Sequence, residues 1–121
     1  MSMSAALLCL SMAVYHESRG QPLIGQQAVA WVVLNRTRSS DYPADICSVV
    51  TQDAQFSFQW DHPRNTKAWE LAVRIADDAM RGRSFDPTSG ALHYARSDIR
   101  RPWMEGMVGM AIGDHIFWKE S

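Results

Sequence analysis

A chain of 121 residues, 46% hydrophobic and 21% charged with a formal charge of -1, has the size and balance of one globular unit with a single core. That balance excludes a disordered chain, and it lacks the strong basic footprint of a nucleic-acid-binding protein. One domain over residues 1–121 is expected, with no nucleic-acid partner, although Arg96, Arg100 and Arg101 give a local basic surface.

In chain order, Ser4 to His16 is apolar or small on nearly every side, which predicts a central, enclosed first helix. Its apolar core of about ten residues is too short to span a bilayer, so no stable membrane insertion is expected. The segment also lacks the basic start of a signal peptide and is read as part of the fold. Gly20 and Pro22 should terminate the helix, leaving Glu17 in its last turn or just beyond. A second helix is predicted over Gly25–Arg38, and a short third from Pro43 through Ile46, Val49 and Val50. Residues 51–65 mix aromatic rings with amides and hydroxyls without a clear period, as a functional or core-pinned loop would. Asn65 or Thr66 can cap a helix through Arg81 whose buried stripe is Trp69, Ala72, Val73, Ala76 and Met80, closed by Gly82. The short runs Ala91–Ala95, Met107–Ile112 and His115–Lys119, the last two split by Gly113-Asp114, predict an antiparallel sheet of two or three strands.

Few residues are placed for chemistry. His16-Glu17 opens like a zinc helix, but position 20 is glycine, and His62, His93 and His115 show no ligand spacing, so neither metal nor cofactor is expected. Cys9 reads as a small buried thiol and Cys47 as part of a short amphipathic helix, and the sequence favours free thiols over a disulfide. Neither neighbourhood is electropositive enough for a thiolate nucleophile. Most carboxylates fall on solvated faces or in turns. Glu17 does not: it sits between two apolar runs, where the negative end of a helix dipole disfavours it. It is either an acid/base catalyst or a carboxylate held by Arg19 or loop amides.

Tyr15-x-Glu17-Ser18-Arg19-Gly20, Gly25-Gln26-x-Ala28-Val29-Ala30 and Val33-Leu34-Asn35-Arg36 are followed by Val49-Val50, Gln55-Phe56-Ser57, Pro87-Thr88-x-Gly90-Ala91, Tyr94 and Ile112-Gly113-x-His115-x-Phe117. In this order, over nearly the whole chain, the blocks resemble the cell-wall hydrolases typified by spore cortex-lytic enzymes of the SleB and CwlJ type. The resemblance implies an α+β, lysozyme-like fold: mainly helical, with a central buried N-terminal helix and a small antiparallel sheet near the C-terminus. It implies action on peptidoglycan glycan strands, with Glu17 matching the catalytic glutamate and Gln55, Ser57 and Tyr94 matching groove positions.

The implied reaction is lytic transglycosylation between N-acetylmuramic acid and N-acetylglucosamine, leaving a 1,6-anhydro ring. One carboxylate suffices for it, whereas ordinary glycosidases use two. Glu17 would have to be neutral near pH 7, which calls for apolar walls, and Arg19 should then point away from it. Alternatives are a muramidase-like hydrolase with Asp53, Asp61 or Asp98 as second acid, and a glycan-binding module without turnover. Ala95-Arg96 departs from the histidine-asparagine pair often seen in the family after this tyrosine, and Ser18 stands where alanine is common. Tyr42, Phe58, Trp60 and Trp103 are candidates for stacking on sugars, with core packing as the alternative. A monomer is expected, either a compact endolysin or a catalytic domain from a larger protein; the cell wall is the site of action and the export route is unspecified.

Overall fold

The computed structural model describes residues 3–52 and 66–121, and the opening apolar run forms helix α1 (Ala5–Ser18). The Ser4 hydroxyl accepts a hydrogen bond from the Leu7 amide, satisfying a donor that every helix start leaves over, a cap worth about 1 kcal/mol. Leu10, Met12, Ala13 and Val14 are buried, and among the described residues α1 packs against each of the other three helices, so it is the central helix its composition predicts. Ser18 donates its hydroxyl to the Val14 carbonyl oxygen at 2.7 Å, which lets a polar residue be buried at the helix end. Gly20 follows with a φ of 85°, a conformation cheap only for glycine.

Helix α2 (Leu23–Thr37) starts directly after Pro22, two residues before the predicted Gly25. It is shared between two cores. Ala30, Val33 and Leu34 join α1 and the other helices, while Ala28, Val29 and Val32 meet the sheet. Helix α3 (Ile46–Gln52) does not begin at Pro43 as predicted. The Asp45 carboxylate accepts from the Ser48 amide and hydroxyl, both at 2.8 Å, and this side-chain cap outweighs the preset angle of proline.

Cys9 and Cys47 form a disulfide, with an S–S distance of 2.09 Å, that ties α1 to α3 and overturns the expectation of free thiols. The two residues are 38 apart in sequence, and only the side-by-side packing of α1 and α3 brings their Cα atoms to 5.3 Å.

Helix α4 (Lys67–Met80) is capped by the Thr66 hydroxyl, which accepts from the Trp69 amide at 3.1 Å. Its buried stripe is Trp69, Ala72, Ile75, Ala76 and Ala79. Val73 is only partly buried and Met80 is 37% exposed, because α1 and α2 approach the face one position round from the predicted one. Three strands follow: β1 (His93–Arg96), β2 (Met107–Ile112) and β3 (His115–Glu120), antiparallel in the order β1-β3-β2. Gly113, at φ 60°, and Asp114 make the predicted tight turn between β2 and β3. Tyr94, Ile112 and Phe117 on the inner face of the sheet pack on Ala28, Val29 and Val32 of α2.

Candidate active site

Glu17 is half-buried in the last turn of α1, where the helix end comes up against the open end of the sheet. It lines two recesses at once. One, of about 520 Å³, is bounded by Gln21, Ser97, Asp98 and Asp114; the other, of about 260 Å³, by Tyr94, Ile99, Arg101 and Trp103. Arg96 and His115 line both, so Glu17 stands at the junction of one continuous groove.

Three segments build this junction. The loop after α1 is fastened to the β2–β3 turn by Gln21, whose amide donates to Asp114 Oδ2 and accepts from the Asp114 amide, each at 2.9 Å. Gly113 is needed there, since a Cβ at that position would run into Gln21 Oε1. The segment after β1 is held to the same turn by the Ser97 amide, which donates to the Asp114 carbonyl oxygen at 2.9 Å. Arg96 sits directly across from His115 in the strand register.

His115 is 7% exposed, and its Nδ1 has no hydrogen-bond partner among the described residues. Burial pushes its pKa below the ordinary histidine value and Arg96 pushes the same way, against the opposing pull of Asp114, so a neutral imidazole faces the groove at pH 7. Arg19 lies with its guanidinium 4.7 Å from the centre of the Tyr15 ring. Tyr15 packs edge-on to Trp69 at 5.9 Å, which ties the Arg19 stack to the core.

Of the residues singled out from sequence, Glu17 and Tyr94 line the same recess. Gln55 and Ser57 lie outside the described residues, as do Phe58, Trp60, Asp53, Asp61 and His62. Tyr42 packs on the core with the Arg36 guanidinium 4.9 Å from its ring, while Trp103 is 38% exposed on the groove wall. Asp98, named as a possible second acid, also lines the groove, exposed and 3.2 Å from Arg96. The sequence did not mark Gln21, Arg96, Asp114 or His115 as site residues. Gln21 read as an ordinary loop residue, Asp114 as part of the hairpin turn, Arg96 as local basic surface and a departure from the family pattern, and His115 as a member of the last family block. Among the described residues no cluster of histidine, cysteine or carboxylate side chains could hold a metal ion, and no helix is long and apolar enough to cross a membrane.

The described residues thus bring one half-buried carboxyl group, Glu17, to the middle of an open groove, between the apolar side chains of Tyr94, Ile99 and Trp103 and the charged ones of Arg96, Arg101, Asp98 and Asp114. Residues 20–118 match the family described as Cell Wall Hydrolase, and the chain belongs to that family. It is 37% identical over 110 residues to a spore cortex-lytic enzyme of Bacillus cereus, covering 88% of this chain and 41% of that protein. Against the spore cortex-lytic enzyme of Bacillus subtilis the identity is 36% over 110 residues, covering 89% and 35%. The chain thus spans about two fifths or less of the curated relatives it matches. The catalytic domain of the Bacillus cereus SleB protein superposes with a TM-score of 0.79 at 34% identity, over 98% of this chain and 93% of that one. The catalytic domain of the germination-specific lytic transglycosylase SleB from Bacillus anthracis gives 0.72 at 32% identity, over 98% and 97%. The fold is the α+β, lysozyme-like one, with four helices and a three-stranded antiparallel sheet among the described residues.

Proposed function

We propose that residues 1–121 form one catalytic domain, a monomeric peptidoglycan lytic transglycosylase that uses Glu17 as its only acid/base. The observation that carries this reading is the position of Glu17 at the junction of the two recesses, in a fold shared over 98% of the chain with a solved lytic transglycosylase domain. Glu17 enters the cycle protonated and gives its proton to the glycosidic oxygen as the bond to the muramyl C1 breaks. The carboxylate so formed takes the proton of the muramyl 6-hydroxyl, whose oxygen closes on C1 to form the 1,6-anhydro ring. Proton and charge balance without water and without a second carboxylate.

Tyr94, Ile99 and Trp103 supply apolar surface on one side of the acid, beside the guanidinium-bearing Arg96 and Arg101, and the neutral His115 imidazole adds no charge. Trp103, 38% exposed on the groove wall, is a stacking candidate with ring surface free to meet the apolar face of a pyranose. The placing of Gln55 and Ser57 against substrate stays a proposal from the family resemblance.

Digestion of peptidoglycan followed by mass spectrometry tests the reading. Anhydro ends, lighter by one water than reducing ends, are expected from the parent, and Glu17→Gln should release them about 10²- to 10⁴-fold more slowly. Equal release by the mutant would exclude Glu17 as the acid. A second reading, a hydrolase using Asp98, draws on the presence of Asp98 in the same groove. It requires reducing ends and a comparable loss of rate in Asp98→Asn.

A further inference from the structure

The two halves of the groove differ in charge. On the Gln21 side the lining adds two acids, Asp98 and Asp114, to Glu17, against the single guanidinium group of Arg96, which borders both halves. On the Trp103 side Glu17 is the only acid in the lining among the described residues and shares it with two arginines, Arg96 and Arg101. We propose that Arg96 and Arg101 form a carboxylate-binding subsite beside Glu17 that takes the anionic substituent of the muramyl residue and so orients the glycan strand by charge. The proposal rests on the lytic reading above and adds to it a chemical basis for substrate choice.

Both arginines stand on anchored backbone and are exposed. Arg96 closes β1 opposite His115, and its carbonyl oxygen accepts from the Ile99 amide at 3.0 Å. Arg101 precedes the short 3-10 turn Pro102–Met104, where its carbonyl oxygen accepts from the Met104 amide at 3.0 Å; Met104 is buried. Among the described residues the Arg101 guanidinium bonds only the Arg100 carbonyl oxygen, at 3.1 Å, and no carboxylate. Arg96 shares one nitrogen with Asp98 at 3.2 Å, but both side chains are largely exposed, 71% and 65%, and such a surface pair exchanges readily for a better-placed anion. A guanidinium fork matches a carboxylate in two parallel hydrogen bonds, which favours this anion class over neutral sugar hydroxyls.

In a peptidoglycan strand the two sugars alternate, and only the muramyl residue carries a carboxyl substituent. That substituent is the lactyl group, ionised when free, or continued into a stem peptide that brings carboxylates of its own. The acidic half of the groove would repel it and the basic half would hold it. Trp103 and Ile99, in the same half, suit the apolar face of the ring that bears it. The departure at Ala95-Arg96 from the family's histidine-asparagine pair thereby becomes a specificity feature.

Steady-state cleavage of three strand preparations tests this: amidase-stripped strands with free lactyl carboxylates, strands with intact stem peptides, and stripped strands whose carboxylates are capped as methylamides. The parent should show a KM about tenfold higher on capped than on stripped strands, the loss expected for a charge-assisted contact, with kcat little changed. Arg96→Gln combined with Arg101→Gln should raise KM similarly on carboxylated strands and not respond further to capping. Arg101→Gln alone, which breaks no ion pair, should show part of the effect. Sensitivity to the arginines on stripped strands names the lactyl carboxylate as ligand, and sensitivity only on intact strands names the stem peptide. Melting temperatures unchanged in the variants exclude a folding effect. Capped and uncapped strands cleaved alike by the parent, or a double variant that retains the parent KM, would overturn the subsite while leaving the lytic reading intact. A parent that cleaves none of the three overturns both.

Discussion

Asp86 accepts four hydrogen bonds: from the Thr88 amide and hydroxyl, at 2.8 and 2.6 Å, and from Asn35 Nδ2 and the Gly90 amide, at 2.9 and 2.8 Å. Its burial opposes ionisation, but those four donors prevail and hold its pKa below the usual carboxylate range. His115 is also held below its ordinary value, there by burial. The sign is the same for both groups. Each contributes stability that is present above its unfolded pKa and is lost as pH falls through its folded value. Stability should therefore decline below about pH 6.5 through His115 and again below about pH 4 through Asp86. Thermal melts across this range check it: His115→Gln should flatten the upper decline and Asp86→Asn the lower one. At neutral pH Asp86→Asn should cost about 1–2 kcal/mol, a charge-assisted network discounted for partial exposure. The family blocks around Asn35 and Thr88 are thus scaffold. Asn35 also donates to the Ala91 carbonyl oxygen at 3.1 Å and Arg36 to that of Leu92 at 2.7 Å, which fixes the entry to β1 and through it Tyr94.

The sheet has its own tight point at Gly109, the partner of Trp118 across β2 and β3. A Cβ there would lie 2.6 Å from Trp118 Cζ3 and 2.8 Å from Ile116 Cγ2, closer than side chains tolerate. Trp118 in turn packs edge-on against Trp103 at 6.5 Å, and Trp103 lies 5.0 Å from His93. Gly109→Ala should therefore cost about 1–3 kcal/mol by overpacking and push Trp118 toward Trp103, measurable as a lower melting temperature together with a raised KM for glycan strands. A variant of parental stability would show that the ring moves aside freely. The strands themselves were legible because their runs are short, apolar and split by Gly113-Asp114. The order β1-β3-β2 was not, since several pairings satisfy the same alternation. In α4 the period of 3.6 predicted a helix correctly. The choice of Ile75 and Ala79 over Val73 and Met80 came from the direction in which α1 and α2 approach.

Across the whole molecule the Cys9–Cys47 bond closes a loop of 38 residues between the central helix and α3. On the chain-entropy account such a loop is worth about 4 kcal/mol. The double variant Cys9→Ala, Cys47→Ala should melt well below the oxidised parent, and thiol reduction of the parent should lower its melting temperature toward that of the variant. No effect of reduction would show that the bond adds nothing to the fold. The groove is likewise a property of the whole: α1 contributes Glu17, β1 contributes Tyr94 and Arg96, and the β2–β3 hairpin contributes Asp114 and His115. Local pattern was enough to specify the helices, the hairpin and the isolation of Glu17 between two apolar runs, because periodicity, glycine placement and helix-dipole cost act over a few neighbouring residues. Pairings over dozens of residues were settled by packing alone: the disulfide, the strand order, the neutral histidine beside the acid, and the arrangement of Arg101 on one side of it and two aspartates on the other, with Arg96 between. Charge and burial at the groove depend on which surfaces meet, and that is decided only when α1 docks against the sheet.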